Sequence, residues 1–316
     1  MANLHWDIYP LTTGFHGSTR PIPNPDLVEK YGYRSFTPFA NSAEHSDADL
    51  QQIAQEIRRD IIRALEQAKS GHSGGPLGSS DIFSVLYFGG VMNHDPKHPW
   101  KENRDRFILS AGHMCPVLYS TLANAGYYPK EELLTLRKFN SRLQGHPGRD
   151  MGLPGIESST GSLGQGLGIA VGMAMADKLV TKNNARVYSL TGDGEIQEGE
   201  IWEACMAATH WKLDNFCMIV DRNHCQIDGR TEDVMRIDPV ADKFRAFGFH
   251  TIEINGNNIA ELRKAFAEAK TVTGQPTCIV AETFMGRGVS FMEDDYRWHG
   301  KPPTTEQAGK ALAELV

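Results

Sequence analysis

The chain has 316 residues, a net charge of -7 at pH 7, 40% apolar and 22% charged residues, enough for one large α/β core or two small ones. The acidic balance argues against a surface built to grip a nucleic-acid backbone. Five cysteines (Cys115, Cys205, Cys217, Cys225, Cys278) form no CxxC pair and are odd in number, the pattern of reduced thiols in a cytoplasmic protein. No basic-then-apolar leader opens the chain, and the longest small-apolar run, 167–176, is too short to span a bilayer, so no membrane partner is expected.

Residues 1–45 carry Pro10, Pro21, Pro23, Pro25 and Pro38 and show no helical or alternating period. Trp6, Tyr9, Phe15, Tyr31, Tyr33, Phe36 and Phe39 are too many aromatics for a solvated tail. An extended arm laid across its own domain or a partner chain is expected there, ahead of a single domain over 46–316. Ser46 with Asp49 is a capping-box signal, and Leu50, Ile53, Ile57, Ile61 and Leu65 then recur at helical spacing. That helix runs into a glycine-rich loop, Ser70-Gly71-His72-Ser73-Gly74-Gly75-Pro76-Leu77-Gly78. A helix over 80–87, a strand over 106–110, a helix over 114–124 and a shorter helix over 130–139 follow. Gly161-Ser162-Leu163-Gly164-Gln165-Gly166-Leu167-Gly168 opens another helix. It nearly matches the dinucleotide pattern GxGxxG, but Ile169 stands where the third glycine should fall and no clear strand precedes it. Strands over 186–190, 215–220, 249–254 and 277–283 alternate with helices over 201–208 and from Asn258 to about 269, and Thr304 with Gln307 caps a last helix. Such alternation predicts an α/β fold, a mostly parallel sheet with helices on both faces.

Two of these strands end in oxygen ligands thirty residues apart. The first leads into Gly192-Asp193-Gly194-Glu195-Ile196-Gln197-Glu198-Gly199, the second into Asp221-Arg222-Asn223. Ligands of open α/β sheets gather at the carboxyl ends of the strands. Gly192 and Gly194 allow backbone amides to come close to an anion. The Asp193 carboxylate with the Asn223 amide suits a hard divalent cation, which in turn neutralises a diphosphate. A lone Gly-Asp-Gly is most often a surface turn; the flanking strand and helix and the second strand end change that reading. Four histidines, His72, His113, His146 and His299, sit beside glycine in loops. Imidazoles there suit work on sugar hydroxyls and phosphates, because they donate, accept and shift protons near neutral pH.

The motifs together resemble the transketolase family. Ser70-Gly71-His72, Asp105-Arg106-Phe107 with Gly112-His113, Gly145-His146-Pro147, Thr160 to Gly166, Gly192 to Gly199 and Trp298-His299-Gly300 occur in transketolase order, from about residue 47 to 316. Only the diphosphate-binding half of a full-length transketolase is matched, so the chain resembles the first subunit of a split enzyme. The resemblance implies thiamine diphosphate held with Mg²⁺ or Ca²⁺, the metal bound by Asp193, Asn223 and the backbone carbonyl of Cys225. It implies that Gly192 and Gly194 lie at the diphosphate, that His113 and His299 reach toward it, and that Gly161 and Leu163 touch the aminopyrimidine. Glu198 matches an interface carboxylate of the motif, counted with the cofactor-binding set. His72, His146 and His299 match positions that line the first two carbons of a ketose donor and move protons there.

The implied reaction passes a two-carbon ketol unit from a ketose to an aldose. The implied partner is a C-terminal subunit carrying the pyrimidine-binding domain, in an α2β2 heterotetramer. Ser162 stands where proline is frequent in the family, and the arm over 1–45 exceeds what the family core requires. The nearest rival keeps the cofactor but delivers the two-carbon unit to a lipoyl or carrier-protein arm. A deoxyxylulose phosphate synthase fits the 192–199 wording poorly. A non-catalytic regulatory subunit and a dinucleotide-dependent dehydrogenase are the remaining alternatives.

Overall fold

The computed structural model describes residues 20–316. Asn24 caps a short helix, α1 (Pro25–Lys30), with Pro25 in its first turn. That helix arises from capping and the fixed φ of proline, which is why no apolar period marks it. Residues 20–45 then run over the domain: Tyr33 is buried and its hydroxyl donates to Asp60 (2.8 Å), while Phe39 meets Phe88 edge-on. Trp6, Tyr9 and Phe15 of the expected arm lie outside the described residues.

Helix α2 (Asp47–Ala68) starts at the Ser46–Asp49 capping box and buries Leu50, Ile53, Ile57, Ile61 and Leu65. The glycine loop after it is not wholly irregular, since its second half closes into α3 (Gly74–Gly78), followed by α4 (Ser80–Phe88). Packing forces that turn against poor helix propensity. A Cβ on Gly78 would lie 2.8 Å from the Phe284 carbonyl oxygen, and one on Gly74 2.5 Å from Met285. Strand β1 (Arg106–Leu109) and helix α5 (Cys115–Asn124) come next. The helix expected over 130–139 is instead a 3-10 turn, Lys130–Thr135, because Leu136 leaves helical geometry at ψ 127° and Arg137 turns left-handed at φ 58°.

The chain continues through α6 (Gln165–Met175), β2 (Val187–Gly192), α7 (Gly199–His210) and β3 (Phe216–Arg222). A two-stranded antiparallel ribbon, β4 (Cys225–Gln226) and β5 (Gly229–Arg230), leads into α8 (Thr231–Val234) and α9 (Val240–Ala246). Then come β6 (His250–Asn255), α10 (Ile259–Thr271) from its Asn258 cap, β7 (Thr277–Glu282) and α11 (Thr305–Glu314) from its Thr304–Gln307 box.

The five long strands form one parallel sheet in the order β1-β2-β3-β7-β6. Successive residues of its strands enter two different cores. Phe107, Tyr188, Leu190, Cys217, Ile219 and Ile279 face α2, α4, α5, α10 and α11. Ile108, Val187, Phe216, Met218, Val220, Cys278 and Val280 face α6, α7 and α9. Burial on both faces explains why these strands read as continuous apolar runs instead of alternating ones. All five cysteines are buried and unpaired. Among the described residues no helix is long and apolar enough to cross a membrane. At one end of this sheet β1, β2 and β3 deliver Gly112-His113, Gly192-Asp193-Gly194 and Asn223 side by side.

Candidate functional site

Strand register puts Gly192 of β2 opposite Asp221 of β3, so the two ligand-bearing ends are immediate neighbours. The buried Asp193 carboxylate accepts from the backbone amides of Gly194 (2.7 Å, Oδ1) and His224 (2.7 Å, Oδ2) and from Arg222 Nη1 (2.9 Å, Oδ2). Burial raises its pKa while Arg222 opposes that rise. Asn223 donates its amide Nδ2 to Asp221 Oδ2 (2.8 Å) and accepts at Oδ1 from the Cys225 amide (3.0 Å). That pair of bonds decides which way the Asn223 amide points. Asp221 is fully buried, and desolvation pushes its carboxyl up to about 7.

The donors fit a hard cation by their chemistry. Asp193 Oδ1 and Asn223 Oδ1 each accept one hydrogen bond and keep a lone pair. Arg222 faces three carboxylates, Asp193, Glu232 and Asp238, which leaves a local negative excess. Among the described residues no three His, Cys, Asp or Glu side chains converge as a metal-ligating group. A carboxylate, an amide and a main-chain carbonyl are a different donor set, suited to a cation that also takes oxygens from its ligand.

Three of the four glycine-flanked histidines come together, with His299 more than two hundred residues from His72 in the chain. Ring centroids are 5.0 Å apart for His72 and His113, 5.1 Å for His113 and His299, and 5.8 Å for His72 and His299. Burial first, and then the neighbouring rings, lower the pKa of His72 to about 4 and that of His113 well below the usual value. Burial lowers His299 too, and its Nδ1 is buried with no hydrogen-bond partner among the described residues. All three shifts favour the neutral ring. His146 stands apart from this trio, exposed beside Gly161, where a Cβ would lie 3.1 Å from its ring.

The loops close on one another through glycine. A Cβ on Gly112 would lie 2.8 Å from the Gly161 nitrogen, and one on Gly166 2.5 Å from the Ser110 Cα. The Thr160 hydroxyl, beside Gly161, is buried without a partner among the described residues. Two orphaned polar atoms, on Thr160 and His299, and a floor of bare glycines are what a bound polar cofactor would fill. Leu163 is half-buried in the same loop, and Gly164 next to it is held by its amide.

That hold comes from Glu195, a residue with little to mark it in the sequence. Its buried carboxylate accepts from Ser110 Oγ (2.5 Å), the Gly164 amide (2.9 Å) and the Gly192 amide (3.1 Å), clasping the ends of β1 and β2 to the loop before α6. Its one sequence signal is an acid set directly behind Gly-Asp-Gly with no cation nearby. Arg222 and Asp221 likewise read locally as strand ends, and only the fold shows them positioning Asp193 and Asn223. Glu198, by contrast, is exposed, and its carboxylate makes no hydrogen bond or ion pair among the described residues. A cavity of about 600 Å³ lies beside this site at the ends of β6 and β7, lined by His224, Arg230 and Glu282 among others. It adjoins the Asp193 loop through His224 but contains none of the clustered histidines.

Comparison with known proteins bears on this geometry. A family described as "Transketolase, thiamine diphosphate binding domain" matches residues 50–313. The chain is 40% identical over 266 residues to one subunit of the apulose-4-phosphate transketolase of Phocaeicola vulgatus, covering 84% of this chain and 93% of that one. It is 41% identical over 266 residues to the transketolase of Pongo abelii, of which it spans only 42%. The solved transketolase from Leishmania mexicana superposes with a TM-score of 0.80 at 35% identity, covering 84% of this chain and 41% of that one.

Proposed function

This chain belongs to the transketolase family, and we propose that it is the cofactor-diphosphate-holding subunit of a two-component transketolase, moving a two-carbon ketol unit from a ketose to an aldose. The observation that carries the reading is the trio of clustered, half-buried histidines set beside the Asp193 and Asn223 strand ends. The relatives named as transketolases, one of them itself a separate subunit whose length this chain nearly spans, favour a sugar acceptor over a lipoyl or carrier-protein arm.

Thiamine diphosphate, when bound, supplies the carbon nucleophile that permits cleavage between C2 and C3 of a ketose. Gly192, Asp193, Gly194 and Asn223 would hold its diphosphate through Mg²⁺ or Ca²⁺, with the Cys225 carbonyl as the third protein ligand. His113 and His299 donate toward the diphosphate side, and the orphaned Nδ1 of His299 has a hydrogen bond to give or accept. Gly161 and Leu163 form the wall for the aminopyrimidine, and no side chain at 161 obstructs it. His72, His146 and His299, whose pKa values desolvation lowers, can accept a sugar hydroxyl proton at an imidazole nitrogen and return it.

The partner in this reading is a C-terminal transketolase subunit that brings a pyrimidine-binding domain, in an α2β2 assembly located in the cytoplasm. Exposed Glu198, unpaired among the described residues at the N-cap of α7, is the carboxylate that this partner would meet. The five buried thiols accord with a reducing compartment. Sugar phosphates are the substrate class. The test mixes purified chain with its candidate partner, thiamine diphosphate and Mg²⁺, and follows mass by light scattering together with ketol transfer. A defined complex that switches on transfer is expected. Robust transfer by this chain with the partner rigorously absent would overturn the reading.

A further inference from the structure

Arg137 is out of place by every local rule. It occupies the left-handed region at φ 58°, which costs a non-glycine residue free energy and clusters at functional sites. Its guanidinium is wedged between the two glycines that precede site histidines. A Cβ on Gly145 would lie 2.5 Å from its Nη2, and one on Gly71 3.3 Å from its Nη1. Both Gly-His pairs therefore stay bare on the side where Arg137 lies.

Every other buried or half-buried arginine among the described residues has a partner for its side chain. Arg58 and Arg222 are paired in the interior, Arg104 and Arg142 grip glutamates in bidentate fashion, and Arg186 donates to two backbone carbonyls. Arg137, half-buried, has no side-chain hydrogen bond or ion pair among the described residues. Its nitrogens are not among the sealed-off atoms, so its donors remain open to a ligand. Its charge reaches the site, since it helps lower the pKa of both His72 and His146.

A half-buried cation without a counter-charge is costly unless a ligand supplies one. A guanidinium presents a rigid fork of donors that matches an oxyanion in bidentate fashion. We propose that Arg137 is a substrate-binding residue that takes an oxyanionic group of the sugar substrate, a carboxylate or a phosphate, between the Gly71-His72 and Gly145-His146 loops. Identifying the ligand as the substrate rests on the transketolase reading; the anion site itself does not.

The test titrates the full chain, without cofactor or partner, with inorganic phosphate and separately with glycolate, following amide and imidazole NMR shifts. Saturable binding of at least one probe is expected, weakened about tenfold or more in Arg137→Gln, the scale of one charge-assisted hydrogen bond. Gly145→Ala keeps the charge but pushes the guanidinium aside, and should weaken the same probe. Thermal melts of both variants establish that the fold is retained. Binding of phosphate alone, glycolate alone or both names the source of the anion. No saturable binding of either probe, or binding indifferent to Arg137→Gln because the anion sits at the strand-end loops instead, overturns the proposal. Either result leaves the ketol-transfer assay with the partner to be decided separately.

Discussion

Two polar clusters inside this chain differ in how completely they are closed. The first lies between α2 and the end of α5. Buried Asp60 accepts from the Tyr33 hydroxyl (2.8 Å), Arg63 (3.2 Å), Asn124 (2.7 Å) and Lys130 (2.9 Å), and Lys130 also reaches Glu56 (2.7 Å) and Asn124 Oδ1 (2.9 Å). Opposite charges face each other and the central acceptor is saturated, with Arg63 Nε the one buried atom of the cluster left without a partner among the described residues. The second gathers His72, His113 and His299, with His146 and Arg137 alongside. Its rings touch without hydrogen-bonding one another, its cation is unpaired among the described residues, and one ring nitrogen is orphaned. A closed network commits its donors to the fold, whereas an open one keeps them for a ligand.

The comparison breaks most sharply at the strand ends. Asp193→Ala should abolish metal-dependent binding of thiamine diphosphate, because the diphosphate loses the anchor of its bridging cation. Calorimetry with cofactor and Mg²⁺, in the presence of the partner, reads this directly. Unchanged affinity would remove Asp193 from the metal site.

Within the open cluster, His146→Ala should slow ketol transfer by about 10²–10⁴-fold, the scale of one positioned acid–base group, with cofactor affinity nearly intact. His113→Ala should instead weaken the cofactor, since its ring is packed between His72 and His299. Steady-state rates paired with cofactor titrations separate the two roles. Equal loss of cofactor affinity in both variants would erase the distinction.

The closed cluster should respond the other way. Lys130→Met removes one of the two cations that face buried Asp60 and should cost about 1.5–3 kcal/mol of stability, the scale of a lost hydrogen bond to a charged group. Cofactor affinity of the folded fraction should not move. Denaturant melts beside cofactor titrations check both halves, and a variant that melts normally but binds cofactor poorly would contradict the contrast.

The smallest effect concerns pH. The site histidines have folded pKa values below their unfolded ones, His72 at about 4 against 6.5, so the unfolded chain binds more protons between those values. Stability rises with pH wherever that holds. The contribution is therefore complete above pH 6.5 and is lost as pH falls toward 4. Melting temperatures from about pH 7 to about pH 4.5 should fall less steeply in His72→Gln than in the unaltered chain. Parallel curves would mean that His72 is not held neutral by its surroundings.

What the sequence determined alone is whatever neighbouring residues encode. The Ser46–Asp49 and Thr304–Gln307 boxes and the Asn258 cap sit where the residues place them. The apolar runs give β1, β2, β3 and β7 with burial on both sheet faces, while β6 alternates as a half-exposed edge strand. The Gly-Asp-Gly and Asn strand ends are adjacent, as sheet physics requires of ligand-bearing termini. Local pattern is weaker at α1 and α3, where a cap, a proline and tight glycine packing override periodicity. Only the tertiary structure could gather His72, His113 and His299 while setting His146 apart against Gly161, or show Glu195 clasping three loops and Arg137 left unpaired among the described residues. A residue's type and spacing fix its local backbone, but which groups it meets, and whether they satisfy it, depends on strand order and on contacts between segments distant in the chain.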